Sequence, residues 1–302
     1  MKFHAFIFND YELDILLNSR KNKLSAKKSL ILYFLTLPKI SQLIDMIYLP
    51  ESVLDDEQFT QSIFNIFSNI GISVSSKLIF TDNLLDYNLN PLPIIKNYQS
   101  KYKFQAIHYK IDFGNRSIQK SPRNEDYIIH SQYNWTNVLL VNNWCEENNL
   151  KLLVESNLYF TENSPEDYYI HMRQILWEGI EIFRRMGKKF NKINLIINPF
   201  YPKLKGLNGT HIEPSNIANT TLRCINECLT KEKMEILIKS CVEFNMTSYL
   251  KYIKFFRDYS KDNTINCLLT SDCLRNYIRD WDFKNENLEK AQEIFLSYFL
   301  QE

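Results

Sequence analysis

Residues 150–180, LKLLVESNLYFTENSPEDYYIHMRQILWEGI, carry one strand and one helix in direct succession. The run Leu150–Ser156 is short, apolar and β-prone, and carries a carboxylate, Glu155, at its next-to-last position. Ser164-Pro165-Glu166-Asp167 follows as a capping box with proline at the first helical position. Tyr168, Met172, Ile175, Leu176 and Ile180 then recur at helical spacing, an apolar stripe that faces a core. A buried strand handing over to an amphipathic helix is the repeating unit of a parallel sheet.

Outward from this unit the same alternation runs through the whole chain. Short apolar runs lie at 3–8, 43–49, 70–75, 104–111, 150–156, 193–198, 234–240 and 264–270, and the spacing predicts eight strands separated by helices. Segment 124–148 reads as a long helix with Val138, Val141 and Trp144 on its buried side, and 284–300 as a closing helix. No linker, low-complexity tract or repeat interrupts the pattern, so residues 1–302 are expected to form one domain. An open doubly wound sheet would place a glycine-rich phosphate turn after its first strand. Here Phe8-Asn9-Asp10-Tyr11-Glu12 contains no glycine, and the chain has only six glycines in all. The expected architecture is therefore α/β, a closed TIM (β/α)8 barrel, with any chemistry at the C-terminal ends of its strands.

Composition narrows the function classes. A chain of 302 residues that is 45% hydrophobic can fill such a core. A formal net charge of +1 gives no general attraction to nucleic acid or to a membrane surface. The basic run Arg20, Lys21, Lys23, Lys27 and Lys28 reads as a solvated helix face. Cys145, Cys224, Cys228, Cys241, Cys267 and Cys273 include no CxxC pair, which suggests free thiols of a reducing compartment and neither zinc nor disulfides. The apolar run in MKFHAFIFND is too short for a signal peptide, and no 18-residue apolar stretch follows. A cytoplasmic location is expected.

Four stretches carry a family resemblance. WDFKNENLEKAQEIF (281–295) is similar to the closing segment of the class I fructose-bisphosphate aldolases through Trp281, Lys284, Glu286, Asn287, Leu288, Ala291, Gln292 and Glu293. MIYLPESVLDDEQFTQSIFNIFSNIGISVSSK (46–77) resembles the family's second and third strands with the turn between, Glu51 matching a glutamate of that turn. NLKLLVESNLY (149–159) resembles the strand that bears two glutamates, and LIINPFYP (195–202) the strand that bears the reactive lysine. The counterpart of the family's N-terminal helix is missing, and the sequence ends at Glu302, before the tail whose final tyrosine assists the family's reaction.

The resemblance implies a barrel that forms a Schiff base between a lysine and a ketose carbonyl, with carboxylates moving protons and cations holding two phosphates. It implies neither a metal nor another cofactor, and it allows a homo-oligomer, a hetero-oligomer with an aldolase-like subunit, or another protein partner. Carried over position by position, much of that equipment is gone. Aligned on Pro199, the Schiff-base lysine falls on Asn198; strict spacing from Glu155 puts it on Ile197. The third-strand lysine falls on Ser73. The fourth-strand lysine falls on Ala106 or Ile107, with His108 where the family has arginine. The loop serine after strand seven becomes Ser240, without its glycines, followed by Cys241. The arginine after strand eight falls on about Ser271. Glu155 matches the first glutamate of its strand, while the second becomes Asn157. Asp10 matches the active-site aspartate after strand one.

Each remnant also has a plainer reading: Glu155 as a hydrogen-bonded structural carboxylate, Asp10 as a helix N-cap, His108 as a satisfied core imidazole. Lys203 and Lys205 lie in a loop beyond strand six, where a displaced nucleophile is conceivable but a lysine keeps its ordinary pKa. The expectation is a non-catalytic binding or regulatory protein built on an aldolase-like barrel. The alternatives are an active aldolase with a relocated lysine, or a barrel repurposed for other carbonyl chemistry.

Overall fold

The computed structural model describes residues 2–6, 34–50, 54–81, 90–112, 125–157, 165–197, 223–228, 234–240, 246–259, 264–279 and 285–300. Its strands are β1 (Phe3–Phe6), β2 (Ile44–Pro50), β3 (Ser73–Thr81), β4 (Ala106–Asp112), β5 (Lys151–Asn157), β6 (Asn194–Ile197), β7 (Glu235–Lys239) and β8 (Thr264–Thr270). They follow one another in chain order around a closed barrel, with parallel pairing wherever the register is defined. The TIM (β/α)8 fold read from the sequence is the fold observed.

The chain divides into two compact units. The first comprises residues 1–77, 239–253 and 266–302. Here β1 pairs with β2 and β8, and Phe3 packs against Phe295 and Phe299 of the closing helix Asn285–Leu300, with ring centroids 5.6 and 5.1 Å apart. Phe34 and Tyr277 extend that aromatic cluster, each meeting Phe295. Because Phe3 faces a helix, alternation turns His4 to the barrel interior.

The second unit comprises residues 78–238 and 254–265. It holds β4 to β7 and the long helices Glu125–Glu147 and Pro165–Arg185. Trp135, 1% exposed, lies against Phe190, and Phe183 meets Phe190 edge-on. A Cβ on Gly179 would stand 2.8 Å from both the Trp135 and Phe190 rings. Glycine is thus needed there for helix approach. Of the expected stripe, Leu176 is buried and Ile180 half-buried, Phe183 is buried one turn beyond, and the side chains of Tyr168, Met172 and Ile175, like Ser164 of the capping box, lie outside the described residues. Trp144, expected on the buried side of its helix, is only half-buried. Trp135 fills that role, while Val138 and Val141 are buried as expected.

Four helix-to-strand turns close by one device, a residue in the left-handed region: Gly71, Lys103, Asn149 and Gly187. At three of them the next N–H reaches back to the helix. Ile72 donates to the Phe67 carbonyl, Leu150 to Cys145 and Lys188 to Phe183, at 2.8–2.9 Å. At the fourth, Phe104 N–H donates to the Gln99 side-chain oxygen at 2.8 Å, and Gln99 Nε2 donates back to the Phe104 carbonyl. The first of these turns corrects one strand. Residues 70–72, expected to open β3, belong to the closure around Gly71, so the strand starts at Ser73 and runs on to Thr81.

Candidate functional site

Register assigns side chains to faces. Cα partners across parallel strands point the same way, and residues two apart share a face. On β4 to β7 one face reads Ile107, Tyr109, Ile111, Leu152, Val154, Leu195, Ile197, Ile236 and Ile238, apolar except for Ser156 near the end of β5. The other reads His108 and Lys110 on β4, Lys151 and Glu155 on β5, Asn194 on β6 and Glu235 on β7, with Ala106, Leu153, Ile196 and Leu237 between them. An apolar layer suits the covering helices, so the mixed face is the barrel interior.

This interior face has two polar levels. At the strand starts, Asn194 Nδ2 donates to Glu235 Oε2 at 2.8 Å, and Lys151 Nζ lies 4.0 Å from the same oxygen. Two residues into β4 and four into β5, His108 Nε2 approaches Glu155 Oε2 to 2.8 Å, with His108 1% and Glu155 0% exposed. Water is excluded from both groups, and each supplies what the other's charged form needs. Lys110, half-buried, stands level with Glu155 in the register and shares its face. No sequence argument singled out Lys110. Its signal was the strand alternation that places it two residues beyond His108.

In the other unit, His4 Nδ1 lies 2.7 Å from Tyr48 Oη, and His4 Nε2 lies 3.5 Å from Asp45, whose side chain is 42% exposed. Ser240 follows β7 directly. Its N–H donates to the Leu268 carbonyl, and its Oγ accepts the Thr270 N–H at 2.8 Å and lies 3.1 Å from Thr270 Oγ1. Thr270 Oγ1 accepts the Cys273 N–H at 3.4 Å, at the start of helix Ser271–Arg279. Ser240 therefore ties β7 to β8, and Ser271, 1% exposed, opens the helix beyond. Ser73 is half-buried at the first residue of β3, opposite Met46. Asn157 is the last residue of β5. Ala106 and Ile107 are fully buried at the start of β4. Asp10, Glu51, Asn198, Lys203, Lys205, Cys241, Trp281 and Lys284 lie outside the described residues.

Cys145 and Cys224 are poor nucleophiles. Burial, then the Glu146 charge, pushes Cys145 up to about 12. Cys224 and Cys228 lie one turn apart: the hydrogen bond with Cys228, then burial, holds Cys224 far above the ordinary thiol range, while the same bond lowers Cys228. Among the described residues no cysteine is in a disulfide. Among the described residues no group of three or more His, Cys, Asp or Glu is placed to hold a metal, and no helix is long and apolar enough to cross a membrane.

Comparison with known proteins fits this geometry at the level of fold. No family model matches the chain, and no curated protein matches it by sequence. Among solved structures it is similar to fructose-bisphosphate aldolase from Plasmodium falciparum, seen in complex with TRAP and a small-molecule inhibitor. The likeness has a TM-score of 0.65 at 13% identity and covers 98% of this chain and 88% of that one. It is also similar to a putative deoxyribose-phosphate aldolase from Toxoplasma gondii ME49, with a TM-score of 0.52 at 12% identity, covering 92% and 91%. The chain has the TIM-barrel fold of these two proteins.

Proposed function

We propose that this protein is a divergent relative of the class I fructose-bisphosphate aldolases that binds without performing the family's reaction, a pseudoenzyme of the cytoplasm. The observation that carries the reading is the setting of Glu155. Its carboxylate, the family-like proton carrier of β5, is fully buried and engaged by His108. Its register partner on β6 is Ile196, and residues 193–199 contain no lysine. A strand-six iminium has no nitrogen to form on, and the carboxylate that would serve it is committed elsewhere.

The loss of cations supports the same reading. Ser73, Ala106 and Ser271 stand where the resemblance places lysines and an arginine. Each missing charge-assisted hydrogen bond to a phosphate is worth about 1.5–3 kcal/mol. Three such losses weaken bisphosphate binding by roughly three orders of magnitude or more. A protein partner, a second copy of the chain or an aldolase-like subunit is the ligand class this leaves.

The test is a cleavage assay on the purified protein with fructose 1,6-bisphosphate, alongside titration calorimetry. We expect no turnover and no micromolar binding. Asn198→Lys alone should restore neither, because groups that act as a unit are not recovered singly. Retro-aldol cleavage abolished by mutating Lys203 or Lys205 would overturn the proposal.

A further inference from the structure

Away from the barrel interior, a pair of thiols ahead of β7 has no part in the proposed function. Residues 223–228 are helical, so Cys224 and Cys228 stand one above the other on one face, with Cβ atoms about 5–6 Å apart. That face is the buried one. Cys224 and Ile225 are fully buried and Cys228 is 8% exposed, while Arg223 and Glu227 pair in solvent at 3.1 Å. The two thiols are hydrogen-bonded to each other, and both feel the charge of Arg173 on helix Pro165–Arg185. Among the described residues no third His, Cys, Asp or Glu is placed to complete a larger metal site with them. We infer that Cys224 and Cys228 bind a single thiophilic ion, monovalent copper, as a two-coordinate bis-thiolate. This goes beyond the reading of the barrel interior and does not rest on it.

Geometry favours an ion over a disulfide. A disulfide draws its Cβ atoms to about 3.8 Å, closer than an intact helical turn allows. An ion whose bonds to sulfur match the zinc–thiolate length of about 2.3 Å spans up to about 4.6 Å between sulfurs and leaves the turn as it is. Zinc itself asks for four ligands, whereas soft thiolates suit cuprous ion. The step balances. Two thiols release two protons, two sulfur–copper bonds form, and copper stays monovalent, with nothing oxidised or reduced. The product carries one net negative charge, which the Arg173 guanidinium offsets. Cys228 gives the first thiolate, because the hydrogen bond from Cys224 lowers its pKa and Arg173 adds to that against burial. It is also the less buried of the two, hence the side on which the ion enters.

The reduced full-length protein is titrated anaerobically with cuprous ion against the chelator bicinchoninate. It should take up one equivalent and develop a thiolate-to-copper absorption band in the ultraviolet, and excess zinc should not displace the ion. Cys224→Ser and Cys228→Ser should each weaken binding by about 10²–10⁴-fold, the gain that a second tethered ligand brings, and Cys145→Ser should leave it unchanged. Alkylation of the unmodified protein, mapped by peptide mass spectrometry, reads the same site without a substitution that could unfold the chain. One equivalent of cuprous ion should slow Cys224 and Cys228 together, by at least about tenfold more than Cys145, because a metal-bound sulfur is no longer a free nucleophile. Four results would each overturn the inference: no competition with bicinchoninate, displacement by zinc, undiminished binding by the Cys224→Ser, Cys228→Ser double variant, or protection confined to other cysteines. None of these readouts involves fructose 1,6-bisphosphate, so the pseudoenzyme reading stands or falls on its own assay.

Discussion

Two interior histidines, His4 on β1 and His108 on β4, sit in contrasting company. His4 meets a phenol, Tyr48 Oη, and its far nitrogen looks toward a carboxylate at the solvent edge. His108 meets a carboxylate that is itself wholly buried. The first pair joins an imidazole to a phenol and asks little of its surroundings. The second couples two ionisable groups away from water, so removing either strands the other. A side chain's identity therefore says less about its role than the solvent access of its partner. Of the two, only the β4–β5 pair has the makings of a proton-handling centre.

The contrast can be broken at its strongest point first. Glu155→Leu removes the carboxylate that His108 meets away from water, and urea unfolding should show a loss of about 3–5 kcal/mol. Combining it with His108→Leu should return most of that loss, since a matched apolar pair no longer buries an orphan. A double mutant as unstable as the sum of its parts would mean that the residues are not coupled. Tyr48→Phe, on the His4 side, should cost about 1–2 kcal/mol, the value of one buried hydrogen bond with its partner left behind. Asp45→Asn should shift the unfolding midpoint least, by under about 1 kcal/mol, because that contact is long and solvent-screened. If Asp45→Asn costs as much as Glu155→Leu, the distinction between the two histidines disappears.

Much of the scaffold was legible in the chain, and the misses have local causes. Strands five to eight stand within a residue or two of their apolar runs, because buried parallel strands need continuous β-prone stretches. Strand three was placed too early because Ile70 and Ile72 look like strand residues, while Gly71 in fact ends a helix. Trp135 fills the place expected of Trp144 because the helix has little amphipathic contrast to separate its faces. At the site, Glu155 and His108 were each named, but their contact depends on the register between β4 and β5, which no single-strand pattern contains. Lys110 was missed for the same reason. Ser240 was read as a phosphate-loop remnant, whereas its hydroxyl binds Thr270, a cross-strand tie that periodicity cannot foresee.

The left-handed turns act as a counting device. After Gly71 and after Asn149, one residue, Ile72 or Leu150, intervenes before a strand whose first side chain faces inward, Ser73 or Lys151. The helix end thus dictates which alternate set of side chains becomes the inside of the barrel, before any neighbouring strand is consulted. One added residue after Asn149 would exchange the sets, sending Glu155 outward and Val154 inward. One left-handed residue, six positions before Glu155, thus sets which side chains β5 gives to the barrel interior.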